Sequence, residues 1–132
     1  MIPRTAPFPA ARPRRLRRAA WIRDMVAETH LSSADLIWPI FVCDGTDVRQ
    51  AIPSMPGVER LSLDHAVEAA RRAEGLGLRC IALFPYTDTA KKTPDAEEAW
   101  NPNNLVNTAT RAIKTACPGL GVMLDVALDP YN

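Results

Sequence analysis

Two aspartates near the end of the chain have the residue type and spacing best suited to chemistry. Asp125 and Asp129 stand four positions apart in segment 122–129, where apolar and polar residues alternate. A buried parallel strand over this segment would place both carboxylates on one face, about 13 Å apart. The other face would be apolar, formed by Leu124, Val126 and Leu128. Polar groups at the carboxyl end of a β/α-barrel strand face the active site, so this segment is predicted to form part of a catalytic floor.

The predicted separation limits what the two carboxylates can do. Two groups about 13 Å apart cannot share a proton and cannot form a glycosidase pair. Each can instead orient an ammonium group, a bound water or a cation. The structural alternative is that Asp129 caps the following loop and that Asp125 pairs with a buried arginine.

No lysine of this chain is placed to act as an amine nucleophile. A Schiff-base lysine needs a desolvated or electropositive setting that lowers its pKa. Lys91 and Lys92 lie among Thr, Asp and Glu residues, and Lys114 lies near a predicted helix end. All three are predicted to be solvated surface charges.

Other reactive side chains are isolated in the sequence. Cys43, Cys80 and Cys117 are too scattered for a zinc knuckle or a redox pair, and such a cysteine count is typical of a reducing cytoplasm. His30 and His65 each stand alone near a helix end, where a capping or surface role is expected. The sequence shows neither a glycine-rich phosphate loop nor a serine nucleophile elbow.

Charge divides the chain at about residue 20. Residues 1–20 carry six arginines and no acid, for a net charge of +6, whereas residues 21–132 carry 10 basic and 15 acidic residues, for −5. Four prolines also fall in the first 13 residues, so residues 1–20 are predicted to form an extended basic arm. The arm lacks interleaved aromatic residues, which favours docking onto an acidic neighbouring subunit over nucleic-acid binding. No apolar run reaches membrane-spanning length, and no membrane partner is expected.

Helical and strand patterns alternate through residues 21–132. They predict strands over 37–42, 80–84 (closed by Pro85) and 122–129, a loop over 46–61, and helices over 20–30, 63–75 (capped by Ser62 or Asp64) and 102–116 (capped by Asn101). This alternation predicts right-handed βαβ units and a parallel sheet. Three strands are too few to close a barrel of about 250 residues. The predicted fold class is therefore α/β: the first βα units of a TIM (β/α)8 barrel, preceded by an extended N-terminal arm.

Six segments together resemble the porphobilinogen synthase (delta-aminolevulinic acid dehydratase) family. They are RPRRLRR at 12–18, DLIWPIFVCDG at 35–45, IPSMPGVERLSLD at 52–64, IALFPYTD at 81–88, AWNPNNLV at 99–106 and DVALDPYN at 125–132. The resemblance implies an α/β barrel whose N-terminal arm wraps a partner subunit in a homo-oligomer, a hexamer or an octamer. It also implies condensation of two 5-aminolevulinate molecules to porphobilinogen, a step of tetrapyrrole biosynthesis.

The resemblance also carries expectations for single residues. Members hold substrate on two lysines of later strands, so this chain alone is expected to be inactive. Asp125 matches an active-site aspartate. Zinc-using members have cysteines where this chain has Ala127 and Asp129, which implies no active-site zinc and leaves magnesium, a monovalent cation or no metal.

Two other functions remain open at this point. Another lysine-dependent barrel aldolase would explain the βα alternation, but not the arm or the SMPG loop at 54–57. A non-catalytic assembly or nucleic-acid-binding module would make use of the arginine-rich arm.

Overall fold

A computed structural model describes residues 6–132, and contacts within the chain divide it into the units Met1–Leu31 and Ser32–Asn132. The first unit contains a 3-10 turn at Arg15–Arg17 and helix α1 (Ala20–Met25). The helix predicted over 20–30 thus ends early, at Met25, and belongs to the first unit. Residues 1–5 of the predicted arm lie outside the described residues.

The second unit is built on one mixed sheet. Its elements are β1 (Ile37–Cys43), β2 (Arg49–Ala51), β3 (Glu59–Leu61), α2 (Leu63–Gly75), β4 (Cys80–Tyr86), α3 (Leu105–Ala116) and β5 (Gly121–Leu124). The strand order is β2-β3-β1-β4-β5. Strand β1 is parallel to β3 and β4, and β4 is parallel to β5, whereas β2 and β3 are antiparallel.

Two of the five strands come from the segment predicted as a loop over 46–61. Strands β2 and β3 form a hairpin whose turn is closed by bonds from the Met55 amide to the Ile52 carbonyl (2.9 Å) and from the Ile52 amide to the Val58 carbonyl (3.0 Å). Gly57 has φ +80°, which an L side chain adopts only with strain. The prediction of three strands was wrong because these two are three residues long and mostly polar, too short for a periodic pattern.

Helices α2 and α3 cover one face of the sheet. The core they share with it is small and apolar, and includes Ile40, Val42, Ala66, Ala70, Ala73, Ile81, Leu83, Val106, Ala109 and Ile113. The bounds predicted for α2 are those observed. Helix α3 is capped by the Asn104 side chain, which accepts from the Asn107 amide at 2.8 Å, so the prediction of Asn101 as cap was wrong.

The last strand is shorter than the alternating pattern predicts. Strand β5 ends at Leu124, where its pairing with β4 ends, and residues 125–129 are irregular. Val126 is 101% exposed and Leu128 is 56% exposed, so neither faces the core. Beyond Leu124 the chain pairs with no other described strand and turns back on itself, with the Tyr131 amide donating to the Leu128 carbonyl at 2.8 Å. The prediction of one strand over 122–129 was therefore wrong.

Candidate active site

The carboxyl ends of β1, β4 and β5 meet at one edge of the sheet, because the three strands are parallel. Asp44 follows β1, a polar loop over 87–101 follows β4, and Asp125 follows β5. In parallel α/β folds the loops after the strands form the binding and catalytic surface. This edge, here called the carboxyl edge, is the candidate active site.

The loop after β4 contacts the residue that ends β1. The Lys91 ammonium lies 2.8 Å from Asp44 Oδ2, and both side chains are about half exposed. The hydrogen bond to Asp44 raises the pKa of Lys91. A lysine with a raised pKa is protonated at neutral pH, which is the opposite of what a Schiff-base nucleophile requires.

The same loop also contacts the segment after β5. The Thr93 amide donates to the Tyr131 carbonyl at 3.1 Å, and the half-buried Lys92 places its Nζ 3.5 Å from the Asp129 carbonyl oxygen and 3.3 Å from that of Asn132. Lys91 and Lys92 were predicted to be solvated surface charges; Lys91 is exposed, as predicted, whereas Lys92 is half-buried, and both have specific oxygen partners. Both lie at the carboxyl edge because they follow β4, which ends there beside β1.

Asp125 and Asp129 lie in this edge as exposed residues. They do not share a strand face, because β5 ends before either of them. Within residues 6–132, neither carboxylate accepts a hydrogen bond or joins an ion pair, so the structural alternatives of an arginine pair and a loop cap are not observed. Both carboxylates are therefore accessible to a solvent-borne ligand.

An aromatic patch lies on the sheet face opposite the helices. The Phe41 and Phe84 rings are 5.6 Å apart, and the Arg60 guanidinium lies 3.9 Å from the centroid of the Tyr86 ring. Alternation along β4 places Phe84 and Tyr86 away from the core residue Leu83. The alternation in segment 81–86 is the sequence signal from which this patch could have been predicted.

A second polar cluster surrounds His65 at the start of α2. The ring Nε2 lies 2.9 Å from Asp47 Oδ1, and Nδ1 lies 3.0 Å from Glu68 Oε2. A neutral ring protonated on Nε2 donates to Asp47 and accepts at Nδ1, whereas the protonated ring donates to both carboxylates. Arg49 Nη2 lies 3.0 Å from Nδ1, to which it can donate only in the neutral ring, and 3.3 Å from Glu68 Oε2. His65 was predicted to stand alone, but Arg49 of the hairpin, Asp47 just before it and Glu68 one turn along α2 all contact its ring.

This His65 cluster has too little free negative charge to be inferred as a metal site. One ligand atom each from Asp47, Asp64 and His65 lies within 4.8 Å of the others. However, Asp64 already accepts from the Ser62 hydroxyl at 2.6 Å and from the Asp47 amide at 3.1 Å. The Arg49 guanidinium, 3.3 Å from Glu68 Oε2, already brings to this cluster the cationic charge that a metal would otherwise supply.

A cavity of about 400 Å³ adjoins the His65 cluster, between β1, the hairpin and α2. Its wall includes Trp38, Met55, Leu61, Ala69 and Arg72. Neither Asp125 nor Asp129 lines it. The acidic segment therefore belongs to a different surface from the cavity.

A profile of the family described as delta-aminolevulinic acid dehydratase matches residues 10–132. The chain belongs to this family. It is 57% identical over 123 residues to the delta-aminolevulinic acid dehydratase of Bradyrhizobium diazoefficiens and 47% identical over 130 residues to that of Rhodobacter capsulatus. These alignments cover 93% and 97% of this chain but only 35% and 39% of the relatives. The chain thus spans little more than a third of their length.

A solved dehydratase structure supports the fold. Delta-aminolevulinic acid dehydratase from Toxoplasma gondii, crystallised in complex with the reaction product porphobilinogen, aligns with a TM-score of 0.85 and 40% identity. The alignment covers 92% of this chain and 34% of that one. The prediction of an α/β fold forming the first βα units of a barrel is confirmed, with a sheet that does not close on itself.

Among residues 6–132, no helix combines the length and the apolar character needed to cross a membrane.

The His65 cluster gives a prediction about pH. Hydrogen bonds to Glu68 and Asp47 raise the pKa of His65. Because the pKa is raised, the protonated His65 ring stabilises the folded state. This stabilisation is complete below the unfolded pKa of about 6.5 and is lost as pH rises through the folded pKa. His65→Gln should therefore speed amide exchange in the hairpin, relative to wild type, more at pH 6 than at pH 9, with rates normalised to intrinsic exchange. His30→Gln, outside the cluster, controls for loss of an imidazole. An equal change in the exchange rate at pH 6 and at pH 9 would contradict stabilisation of the hairpin by the protonated His65 ring.

Proposed function

We propose that a longer protein carrying this chain is a porphobilinogen synthase, which joins two 5-aminolevulinate molecules to give porphobilinogen with loss of two waters. Family membership over residues 10–132 and the product named for the Toxoplasma gondii relative support this proposal. The observation that carries it within this chain is the carboxyl edge, where two unpaired carboxylates stand on the segment after β5. The test is an assay of the longer protein with 5-aminolevulinate, and the expected result is formation of porphobilinogen.

The proposed contribution of this chain is acidic rather than nucleophilic. Each substrate carries an amine and loses or transfers protons, so Asp125 and Asp129 are suited to orient an ammonium group or to take up a proton. Acids held in such positions can lower the activation barrier of a condensation by transferring protons and by stabilising the charge that develops.

The amine nucleophile is proposed to come from outside this chain. Lys91 is paired with Asp44, and Lys92 lies against two carbonyl oxygens. Lys114 donates to the carbonyls of Pro118 and Leu120, at 2.7 Å each. All three ammonium groups thus contact oxygen acceptors, and this chain alone is proposed to be inactive.

Asp125→Asn tests the acidic role in the longer protein. The change keeps the shape and removes the charge, so turnover should fall by about 10²-fold, the scale of a lost acid–base group. The melting temperature should move by only a few degrees, because no apolar volume is removed. The measurement is steady-state porphobilinogen formation beside thermal unfolding. Asp24→Asn, an exposed aspartate of α1, is the matched control, and equal activities of the two variants would count against the role.

The site is proposed to work without zinc. Thiolates are soft ligands that suit zinc, whereas residues 125–131 contain no cysteine, and Ala127 offers no donor. Cys43 and Cys117 are buried free thiols, and burial raises the pKa of both. The carboxylate of Asp129 suits a harder cation, so magnesium or a monovalent ion fits the residues present.

Selective removal of zinc tests this proposal. Because no thiolate set is available in segment 125–131, a zinc-selective chelator should leave at least roughly 90% of the activity of the longer protein. The measurement is turnover before and after chelation, with metal content determined on the same sample. Loss of activity that zinc alone restores would reject the non-zinc assignment. Turnover after addition of magnesium or potassium to the chelated protein then shows which of these ions supports activity.

The arm is proposed to join subunits of a homo-oligomer, a hexamer or an octamer. Described arginines at 12, 14, 15, 17 and 18 form a basic stretch, and the rest of the chain is acidic. Opposite charges favour docking of the arm onto another copy. The large apolar side chains of α1 are also exposed, with Trp21 at 60% and Met25 at 76%. An exposed apolar pair beside a basic stretch is typical of a protein-binding segment.

Deleting residues 1–18 should reduce the oligomer of the longer protein while leaving its secondary structure largely unchanged, because the sheet and its helices lie within Ser32–Asn132. Light scattering gives the mass, and circular dichroism gives the secondary structure. Replacing the five described arginines by Gln separates charge from length, and salt should weaken the wild-type assembly in the same direction. An unchanged oligomeric mass would refute the assembly role.

The cytoplasm is the proposed compartment. Cys43, Cys80 and Cys117 are all free, as expected where thiols stay reduced. Fractionation of cells that express the longer protein tests the assignment.

A further inference from the structure

The segment that carries both aspartates has little support from the sheet. Strand β5 stops at Leu124, and the described chain beyond it pairs with no strand. The exposed Val126 and Leu128 add no packing. Catalytic groups need a fixed geometry, so contacts other than strand pairing must hold this segment in place.

One end of the segment is anchored by a buried tyrosine. Tyr131 is 6% exposed, its amide donates to the Leu128 carbonyl, and its carbonyl accepts from the Thr93 amide at 3.1 Å. Burial, with a smaller contribution from Glu98, raises the pKa of the Tyr131 hydroxyl. The 128–131 turn therefore rests against the loop after β4.

The loop after β4, which the 128–131 turn contacts, is held together by its own hydrogen bonds. Asp88 Oδ1 accepts from the Ala90 amide at 2.8 Å, the Thr93 hydroxyl accepts from the Glu97 amide at 3.0 Å, and the Ala96 amide donates to the Thr93 carbonyl at 2.9 Å. Ala96 is also buried. A loop held by its own bonds can serve as a fixed support for a less regular neighbour.

We propose that Lys92 is a positioning residue for the acidic segment. Its ammonium lies beside the carbonyl oxygens of Asp129 and Asn132, at 3.5 and 3.3 Å, next to the main-chain bond between Thr93 and Tyr131. A cation between two carbonyl dipoles resists separation of the turn from the loop, and thus fixes the backbone from which the Asp129 carboxylate projects. Lys92 acts through the segment and touches no substrate. This inference rests on the proposed function.

The test compares two lysines that contact backbone carbonyls in the longer protein. Lys92→Met removes the charge and keeps the aliphatic stem, whereas Lys114→Met makes the same change away from the carboxyl edge, at a residue that contacts the carbonyls of Pro118 and Leu120. Lys92→Met should lower kcat about tenfold, with a smaller change in KM, because misplaced acids slow the chemical step more than binding. It should also speed amide exchange in peptides covering 126–132. Lys114→Met should change neither beyond about twofold, and Lys92→Arg should recover the exchange protection.

The outcomes separate this inference from the proposed function. If the wild-type longer protein makes no porphobilinogen, the proposed function fails, and amide exchange alone decides whether Lys92 supports the segment. If wild type is active and the two methionine variants match in kcat and in exchange, the inference is overturned. A fall in kcat for Lys92→Met with unchanged exchange would also overturn it, since Lys92 would then act on the substrate directly. Failure of Lys92→Arg to recover the exchange protection would overturn it as well.

Discussion

The parallel pairing of β1, β4 and β5 is the constraint on which the candidate site depends. Cys43 pairs with Tyr86 and Leu83 pairs with Leu124, so the three strands deliver the residues that follow them to one edge. Parallel neighbours require crossovers, and α2 and α3 supply them. Buried alanines such as Ala66, Ala70 and Ala109 allow these helices to lie close to the sheet. The position of the polar groups at the carboxyl edge therefore depends on the apolar core between the sheet and helices α2 and α3.

The carboxyl edge has a consistent electrostatic character. Its cations are neutralised or engaged, since Lys91 is paired with Asp44 and Lys92 lies against backbone carbonyls. Its two aspartates after β5 remain exposed and unpaired among the described residues. Free acids without a free amine, among residues 6–132, agree with the proposal that this chain contributes acids and that the amine nucleophile lies outside it. This division agrees with a chain that spans little more than a third of its relatives' length.

Features set by local pattern were predictable, and features set by distant contacts were not. Helix α2 and strands β1 and β4 follow from apolar stripes and runs within a few residues. Segment 122–129 matched a strand template, but strand formation also needs a partner, and the pairing with β4 stops at Leu124. The Lys91–Asp44 pair joins residues 47 positions apart, which no local pattern encodes. The roles of Asp125 and Asp129 stay predictions.

Borohydride trapping with 5-aminolevulinate tests most directly whether this chain supplies acids and not the nucleophile. The longer protein is treated with substrate and borohydride, digested, and its modified lysine located by mass spectrometry. If the nucleophile lies outside this chain, we expect a stoichiometric adduct on a lysine outside residues 1–132, with Lys91, Lys92 and Lys114 unmodified. An adduct on any of these three lysines would contradict it.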